Sequence, residues 1–182
     1  ATSPDVPNRG GDYDFCTGFR LLELTTAEIV PLDVMPMRWD ESMMGGQSGK
    51  VAVVTGSNTG IGYYVARALA SKGASVIMAC RDPTKGEVAR DRILEEFPGS
   101  EVSVSVLDLA DLSSIEEFAD GFPSEGGLDI LINNAGVMIP PKSRTKDGFE
   151  LQFGTNHLGH FALTGRLCLL YTSDAADEEL RV

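Results

Sequence analysis

The chain has 182 residues, which is long enough for one domain with a substantial core, and 42% of them are apolar, as is ordinary for a soluble globular protein. No apolar run is long enough to span a bilayer, so no transmembrane segment is expected. The formal net charge is −12, and seven of these charges fall in residues 1–36 and 168–182. Nothing in this balance points to nucleic acid, and we predict no nucleic-acid partner.

The cysteines and histidines give little sign of a metal or disulfide framework. Cys16, Cys80 and Cys168 are too few and too scattered for either, so a reducing compartment is the default and we expect a cytoplasmic protein. His157 and His160 have the spacing of neighbours on a helix, and a metal pair is conceivable there. No third ligand is indicated, so we predict no metal site and favour packing or polar-face roles for both histidines.

The first part of the chain has no sustained hydrophobic period. Residues 1–36 contain several glycines and prolines and no basic-then-apolar signal pattern. We expect them to be a disordered tail or an untranslated leader, with Met37 as a plausible real start. The folded domain is predicted over residues 37–167.

The sequence Lys50–Gly62, K-V-A-V-V-T-G-S-N-T-G-I-G, is the most informative stretch of the chain. Val51–Val54 has the composition of a buried strand, and the apolar residues of Tyr63–Lys72 repeat at helical spacing. A strand, a glycine-rich turn and a helix are the context that a dinucleotide-binding fingerprint requires. A turn without a ligand is the alternative on this stretch alone. The residues predicted to bind the cofactor here are Thr55, Gly56, Ser57, Asn58, Thr59, Gly60, Ile61 and Gly62.

The three glycines have separate predicted roles. Gly56 permits the tight turn, Gly60 lets the backbone approach a pyrophosphate, and Gly62 lets the helix pack closely against the strand. The helix start then offers free N–H groups and a partial positive charge to the phosphates.

Further strands and helices alternate along the chain, which predicts right-handed βαβ units and an α/β fold with a parallel sheet. Asp82 is a candidate cap for the helix that follows the second strand. The expected strands are Ser75–Cys80, Glu101–Leu107 and Leu128–Ile132, and the expected helices are Asp82–Phe97, Asp111–Phe118 and Phe149–Leu167.

Arg81 stands just past the second strand, where cofactor preference is set in this kind of fold. An acidic residue at this point would bind the ribose 2′-hydroxyl of NAD, whereas a guanidinium matches a 2′-phosphate bidentately. We therefore predict NADP as the cofactor in preference to NAD. The alternatives are a surface arginine and an NAD site served by the adjacent Asp82.

Two more candidate binding segments each follow a predicted strand. Asp108 and Leu109 end the third strand, at the sheet edge where ligands of open α/β sheets gather, although a helix cap would explain Asp108 equally well. The tetrad Asn133-Asn134-Ala135-Gly136 follows the fourth strand, and its glycine would let a cofactor ribose lie close to the backbone. We predict Asp108, Leu109, Asn134, Ala135 and Gly136 to bind the cofactor.

These motifs, T-G-x-x-x-G-x-G from Thr55, N-N-A-G at 133–136 and Asn156–Phe161 on the long helix, stand in an order that resembles the short-chain dehydrogenase/reductase superfamily. Ala79–Arg81 and Thr155–Phe161 look most like its retinol dehydrogenase-like group. The resemblance implies a Rossmann-type doubly wound parallel sheet. It also implies that Asp108 recognises the adenine amino group. Asn156 inherits a catalytic role, in which it bends the helix and holds a water in the proton relay.

The resemblance further implies an oxidoreductase that moves hydride between NADP(H) and a carbonyl or alcohol, with a small hydrophobic substrate of the retinoid or steroid kind. The parent is expected to be a homo-oligomer through the Phe149–Leu167 helix. The superfamily's catalytic Tyr-x-x-x-Lys pair and its preceding Ser are not in this chain, so we expect no turnover. The sheet is accordingly expected to be truncated after about four strands and the long helix.

The end of the chain does not follow the family. Cys168–Glu178 resembles the translation of a transposase-type sequencing adapter, so residues 168–182 are predicted to be a non-native tail. A natural acidic tail is the alternative. A non-catalytic NAD(P)-sensing or scaffold protein on the same fold stays open. A methyltransferase-like protein fits poorly, because an acidic residue is expected where Arg81 stands.

Overall fold

The computed structural model of the chain describes residues 40–122 and 127–167. The leader predicted over residues 1–36 and the non-native tail predicted over residues 168–182 lie outside the described residues. Both stay predictions.

Within residues 40–122 and 127–167, four parallel strands form one sheet in the order β3-β2-β1-β4, so β1 lies inside the sheet. In its register, Val53 of β1 pairs with Ile77 of β2 on one side and with Leu131 of β4 on the other. The chain builds outward from β1 in one direction through β2 and β3, and then crosses to the opposite side for β4. A crevice opens where the strand order reverses in this way. The strands are β1 (Val51–Thr55), β2 (Ser75–Cys80), β3 (Val102–Val106) and β4 (Ile130–Ile132).

The helices connect the strands as the alternating pattern predicts. Asp82 caps the second helix, since its side chain accepts a hydrogen bond from the amide of Lys85. β4 is two residues shorter than predicted at its start. None of the helices within residues 40–122 and 127–167 is long and apolar enough to cross a membrane. A short 3-10 turn, Glu41–Met43, precedes β1, and the helices are α1 (Gly60–Ser71), α2 (Pro83–Glu96), α3 (Leu112–Asp120) and α4 (residues 151–167).

Helices pack on both faces of the sheet, and successive side chains of each strand point to opposite faces. In β1, Val54 packs in a cluster with residues of α1 and α2, whereas Val53 packs in a second cluster with residues of α3 and α4. Ile93 of α2 and Leu163 of α4 are fully buried in these two clusters. The helices therefore cover the sheet from both sides, which confirms the predicted Rossmann-type doubly wound α/β fold.

A simple helical period predicts a regular helix here, but α4 departs from regular α-helical geometry. Residues Gly154–Gly159 form a π-helical segment between ordinary α-helical turns. Such wider turns leave room for an extra residue and occur frequently at functional sites. The glycine at position 159 lies against the backbone of Leu109, where a Cβ would come within 3.1 Å of the Leu109 carbonyl carbon. The segment thus brings α4 into contact with the chain that follows β3.

Candidate functional site

A groove of about 330 Å³ lies at the carboxyl ends of the strands, where the strand order reverses. This is the place where open α/β sheets bind their ligands. It brings together residues that are up to 100 positions apart in the sequence, from the glycine turn to α4. The groove is lined by Thr55, Gly56, Asn58, Thr59, Ala79, Arg81, Leu107, Asp108, Leu109, Asn134, Ala135, Gly136, Val137 and Thr155.

Ten of the residues predicted to bind the cofactor lie in this lining. Ser57 does not, because it is fully buried and its hydroxyl donates to the carbonyl of Val54 at 2.9 Å. Ile61 is 77% exposed and does not line the groove. Gly60, Gly62 and Asn156 are likewise absent from the lining.

Four lining residues were not among those predicted to bind the cofactor: Ala79, Leu107, Val137 and Thr155. Leu107, Val137 and Thr155 each adjoin a predicted residue, and Ala79 lies two positions before Arg81. Extending each predicted station by one or two residues would have found them. The lining of the groove therefore includes residues next to the sequence motifs as well as the motifs themselves.

The glycine turn after β1 packs directly against the backbone of the tetrad Asn133–Gly136. Gly56 has a φ of 63°, and a Cβ there would lie 2.8 Å from the Cα of Ala135, so both the conformation and the space require glycine. A Cβ on Gly62 would lie 2.7 Å from the carbonyl oxygen of Gly56 and would collide with the side-chain amide of Asn134. The close approach expected at Gly62 is therefore between α1 and the turn itself.

The start of α1 leaves its first amides without a side-chain cap. Thr59 is its N-cap residue, but the Thr59 side chain makes no capping hydrogen bond. The first-turn amides of a helix have no partner within the helix and carry its partial positive charge. A Cβ at Gly60 would meet no atom within 4 Å, so the space beside this backbone is open. These features fit a phosphate group.

Thr55 joins β1 to the tetrad. Its hydroxyl oxygen accepts hydrogen bonds from the backbone amides of Asn134 and Ala135, each at 2.9 Å. The side-chain amide of Asn134 in turn donates to the backbone carbonyl of Thr55 at 2.8 Å. Because Thr55 is fully buried, these bonds fix the tetrad at the edge of the groove.

Arg81 and Asp82 are neighbours in sequence but occupy different environments. Arg81 is exposed, lines the groove, and makes no ion pair with any carboxylate of residues 40–122 and 127–167. The Asp82 carboxylate caps α2, accepts from the Lys85 amide at 3.1 Å and lies 3.3 Å from the Lys85 ammonium. The hydrogen bond from the Lys85 amide lowers the pKa of Asp82. Asp82 is absent from the groove lining.

Asp108 does not cap α3, although the sequence left that possibility open. The cap is Asp111, whose carboxylate accepts from the amide of Ser113 at 3.0 Å. Asp108 instead accepts from the amide of Ala110 through Oδ1 at 2.9 Å and lines the groove. Its Oδ2 has no hydrogen bond within the described part of the chain, so this oxygen is available to a ligand.

Asn156 lies inside the π-helical segment of α4. Its side chain holds the backbone of Val137 from both sides: Oδ1 accepts from the amide and Nδ2 donates to the carbonyl, each at 2.8 Å. Both side-chain groups thus contact the loop that follows the tetrad. The relay role inherited from the resemblance stays a prediction.

The two histidines of α4 differ in burial. His160 is buried and hydrogen-bonded, while His157 is exposed and stacks on Phe153 with ring centroids 5.2 Å apart. Within residues 40–122 and 127–167, no group of three or more His, Cys, Asp or Glu could hold a metal ion.

Comparison with known proteins gives the same family as the motifs. Residues 50–173 match the family described as short chain dehydrogenase. Human retinol dehydrogenase 12 is 58% identical over 117 residues, which are 64% of this chain and 37% of that protein. The chain thus spans little more than a third of the length of this relative.

Two solved structures are similar to the fold described above. An uncharacterised protein from Mycobacterium paratuberculosis has a TM-score of 0.65 and 48% identity, over 72% of this chain and 46% of that one. A metagenomic short-chain oxidoreductase in complex with NADP has a TM-score of 0.61 and 30% identity, over 70% and 58% of the two chains. By its sheet, its groove and these matches, the chain belongs to the short-chain dehydrogenase family and is similar to the retinol dehydrogenases.

Proposed function

We propose that the chain is the cofactor-binding part of an NADP(H)-dependent oxidoreductase that interconverts a carbonyl with a primary or secondary alcohol. The proposal is supported by family membership, by a groove at the reversal of strand order, and by a helix start with uncapped amides beside it. The metagenomic relative with 30% identity was solved in complex with NADP, which is consistent with this cofactor.

One contrast carries the preference for NADP over NAD. Arg81 lines the groove without a carboxylate partner in the described residues, whereas the carboxylate of Asp82 is held by the start of α2. A guanidinium in this position suits a 2′-phosphate, and a carboxylate would suit a 2′-hydroxyl. The residue available to the ribose is the cation.

The other residues then have definite tasks. The amides at the start of α1 would hold the diphosphate, and the free Oδ2 of Asp108 would accept from the adenine amino group. The tetrad, fixed by Thr55, would support the ribose next to the nicotinamide. The nicotinamide supplies the hydride chemistry when it is bound. What the chain contributes is the position and orientation of the nucleotide.

The substrate is proposed by similarity alone, as a hydrophobic carbonyl or alcohol of the kind suggested by the retinol dehydrogenases. None of the four tyrosines is followed by a lysine four positions later, so the family's Tyr-x-x-x-Lys pair is absent from these 182 residues. We therefore expect the chain to bind nucleotide without turning over substrate. A free buried Cys80 is in keeping with a reducing compartment such as the cytoplasm.

Titration of the purified chain with NADPH and with NADH, followed by nucleotide fluorescence and calorimetry, tests this proposal. We expect NADPH to bind more tightly than NADH. R81A should weaken the binding of NADPH by at least about tenfold and leave the binding of NADH nearly unchanged, because only NADPH carries the 2′-phosphate. R90A is the matched control, since Arg90 pairs with Asp91 outside the groove. Equal losses for both nucleotides in R81A would refute the assignment.

A second candidate is an NAD(P)-sensing or scaffold protein, which would bind the nucleotide without catalysis. Both candidates predict the same binding groove. They predict different gene sequences downstream of the codon for residue 167. A downstream Tyr-x-x-x-Lys in an uninterrupted clone supports the enzyme, and a complete gene without it supports the sensor.

We also propose that α4 mediates self-association. Phe153 and Phe161 are 54% and 75% exposed and lie eight residues apart on one helix, with the exposed His157 between them. These exposed aromatic side chains, which we call the α4 stripe, leave apolar surface in water, and such surface favours a partner.

A further inference from the structure

His160 connects Thr55 and Asn156, the two residues that hold residues 134–137, which we call the tetrad loop. Its ring lies between Thr55 at the end of β1 and the backbone of Asn156 in α4, and the side chain is buried. Thr55 holds the amides of Asn134 and Ala135 on one side of the loop. The Asn156 side chain holds Val137 at the other end. The ring therefore closes a circuit of hydrogen bonds around the loop.

The partners of the ring determine where its proton lies. Nδ1 of His160 is 3.0 Å from the carbonyl oxygen of Asn156, and a carbonyl only accepts, so Nδ1 must carry the hydrogen. Nε2 is 3.0 Å from the hydroxyl oxygen of Thr55. A hydroxyl has two lone pairs and one hydrogen, and both lone pairs of Thr55 are taken by backbone amides.

The Thr55 hydroxyl is therefore left with its hydrogen to donate. Its nearest acceptors are Nε2 of His160 at 3.0 Å and the carbonyl of Ile132 at 3.3 Å. Donation to the nearer atom requires an unprotonated Nε2. Taken together, the two contacts of the ring assign the neutral tautomer with hydrogen on Nδ1.

We propose that His160, as the neutral Nδ1–H tautomer, is a positioning residue for the nucleotide groove. Through Thr55 and Asn156 it holds residues 134–137, all of which line the groove, at a set distance from the glycine turn. The nucleotide part of this proposal rests on the proposed function above. The hydrogen-bond lock itself is a property of the chain without ligand.

The tautomer is tested on a chain whose His160 is unchanged. The protein has two histidines, so an untagged, ¹⁵N-labelled H157F chain retains His160 alone. Its ring nitrogens should show a protonated Nδ1 and an unprotonated Nε2 in two-dimensional NMR at neutral pH. A ring with its proton on Nε2, or on both nitrogens, overturns the proposal.

Hydrogen exchange tests the lock without nucleotide. H160F removes both ring hydrogen bonds while keeping a ring, so the amides of Asn134 and Ala135 should exchange about tenfold faster, because their acceptor on Thr55 loses its own anchor. H157F makes the same replacement at the exposed histidine of the same helix and should leave these amides unchanged. Equal exchange in H160F and the parent chain refutes the lock.

Nucleotide titration tests the functional consequence. H160F should bind NADPH about tenfold more weakly than H157F does, which is the effect of losing a buried hydrogen-bond pair. T55V should also weaken binding, and T55V/H160F should lose less than the sum of the two, since the residues act through one contact. Additive losses refute the coupling. If the parent chain does not bind NADPH, the proposed function fails, while the tautomer and exchange results still decide the lock.

Discussion

The ammonium of Lys146 lies 2.7 Å from Oδ2 of Asp111, the N-cap residue of α3, and 2.9 Å from the hydroxyl of Ser113. The loop before α4 is thereby fastened to the helix that follows β3. Two further bonds support this link: the amide of Lys146 donates to Ala110, and the amide of Leu112 donates to Asp147. This junction lies beside the Asp108 end of the groove.

We predict that the Lys146–Asp111 pair makes stability depend on pH in the acid range. The hydrogen bond from Lys146, followed by those from Ser113, lowers the pKa of Asp111 to about 2. A lowered folded-state pKa stabilises the protein above the unfolded value of about 4, and this stabilisation is lost as pH falls toward 2.

The test is a comparison of K146Q with the parent chain in thermal melts across this range. K146Q should melt about 3 °C lower at pH 7 and low salt, with the difference shrinking to nothing near pH 2. K142Q, which removes an exposed lysine of the same loop, is the control. A gap between K146Q and the parent that stays constant with pH would count against the pair.

Two helical glycines should respond oppositely to alanine. G62A would place a Cβ 2.7 Å from the Gly56 carbonyl, so it should destabilise the fold by more than about 2 kcal/mol and displace the glycine turn. Gly165 is exposed in α4, and a methyl group there would meet no atom within 4 Å, so G165A should gain about 0.5–1 kcal/mol. Urea unfolding measures both. A neutral G62A would mean that the turn yields easily.

The hydroxyl of Thr155 is a buried polar group without a hydrogen-bond partner in the described residues. T155V keeps the shape and removes this group, so it should raise the free energy of unfolding by about 1 kcal/mol in the nucleotide-free chain.

T145V is the matched comparison, because the equally buried Thr145 hydroxyl accepts from the Phe149 amide at 3.2 Å. T145V should cost about 1 kcal/mol. Chemical denaturation of both variants gives the answer. If T155V is as destabilising as T145V, then the Thr155 hydroxyl has a bonding partner in solution.

Phe161 should control self-association. F161S removes the most exposed aromatic ring of the α4 stripe, so the monomer fraction should rise at a given protein concentration. V88S makes a similar change at the 60% exposed Val88 of α2, away from the stripe, and should not alter assembly. Sedimentation equilibrium over a tenfold concentration range measures both variants. The same association constant in F161S and the parent would exclude α4 as the interface.

Much of the fold and part of the groove were predictable because they depend on near neighbours in the chain. The β-branched run before Gly56, the helical period after it and the capping aspartate at position 82 each act over a few residues. The parallel sheet follows from the alternation of strands and helices, and the carboxyl-end location of the groove follows from the parallel sheet.

What the tertiary structure decided is which of several chemically similar neighbours faces the groove. Asp108 and Asp111 are both plausible caps, and only the path of the chain after β3 assigns the cap to Asp111. Arg81 and Asp82 could each serve a ribose, and the start of α2 takes Asp82.

The contacts of His160 and Asn156 with the tetrad loop join residues far apart in sequence and depend on the π-helical turns of α4. Sequence alone therefore determined the type of fold and the stations of the groove, since those follow from local periodicity and turn chemistry. The roles of individual side chains depend on directions and distances that arise only when the helices pack on the sheet.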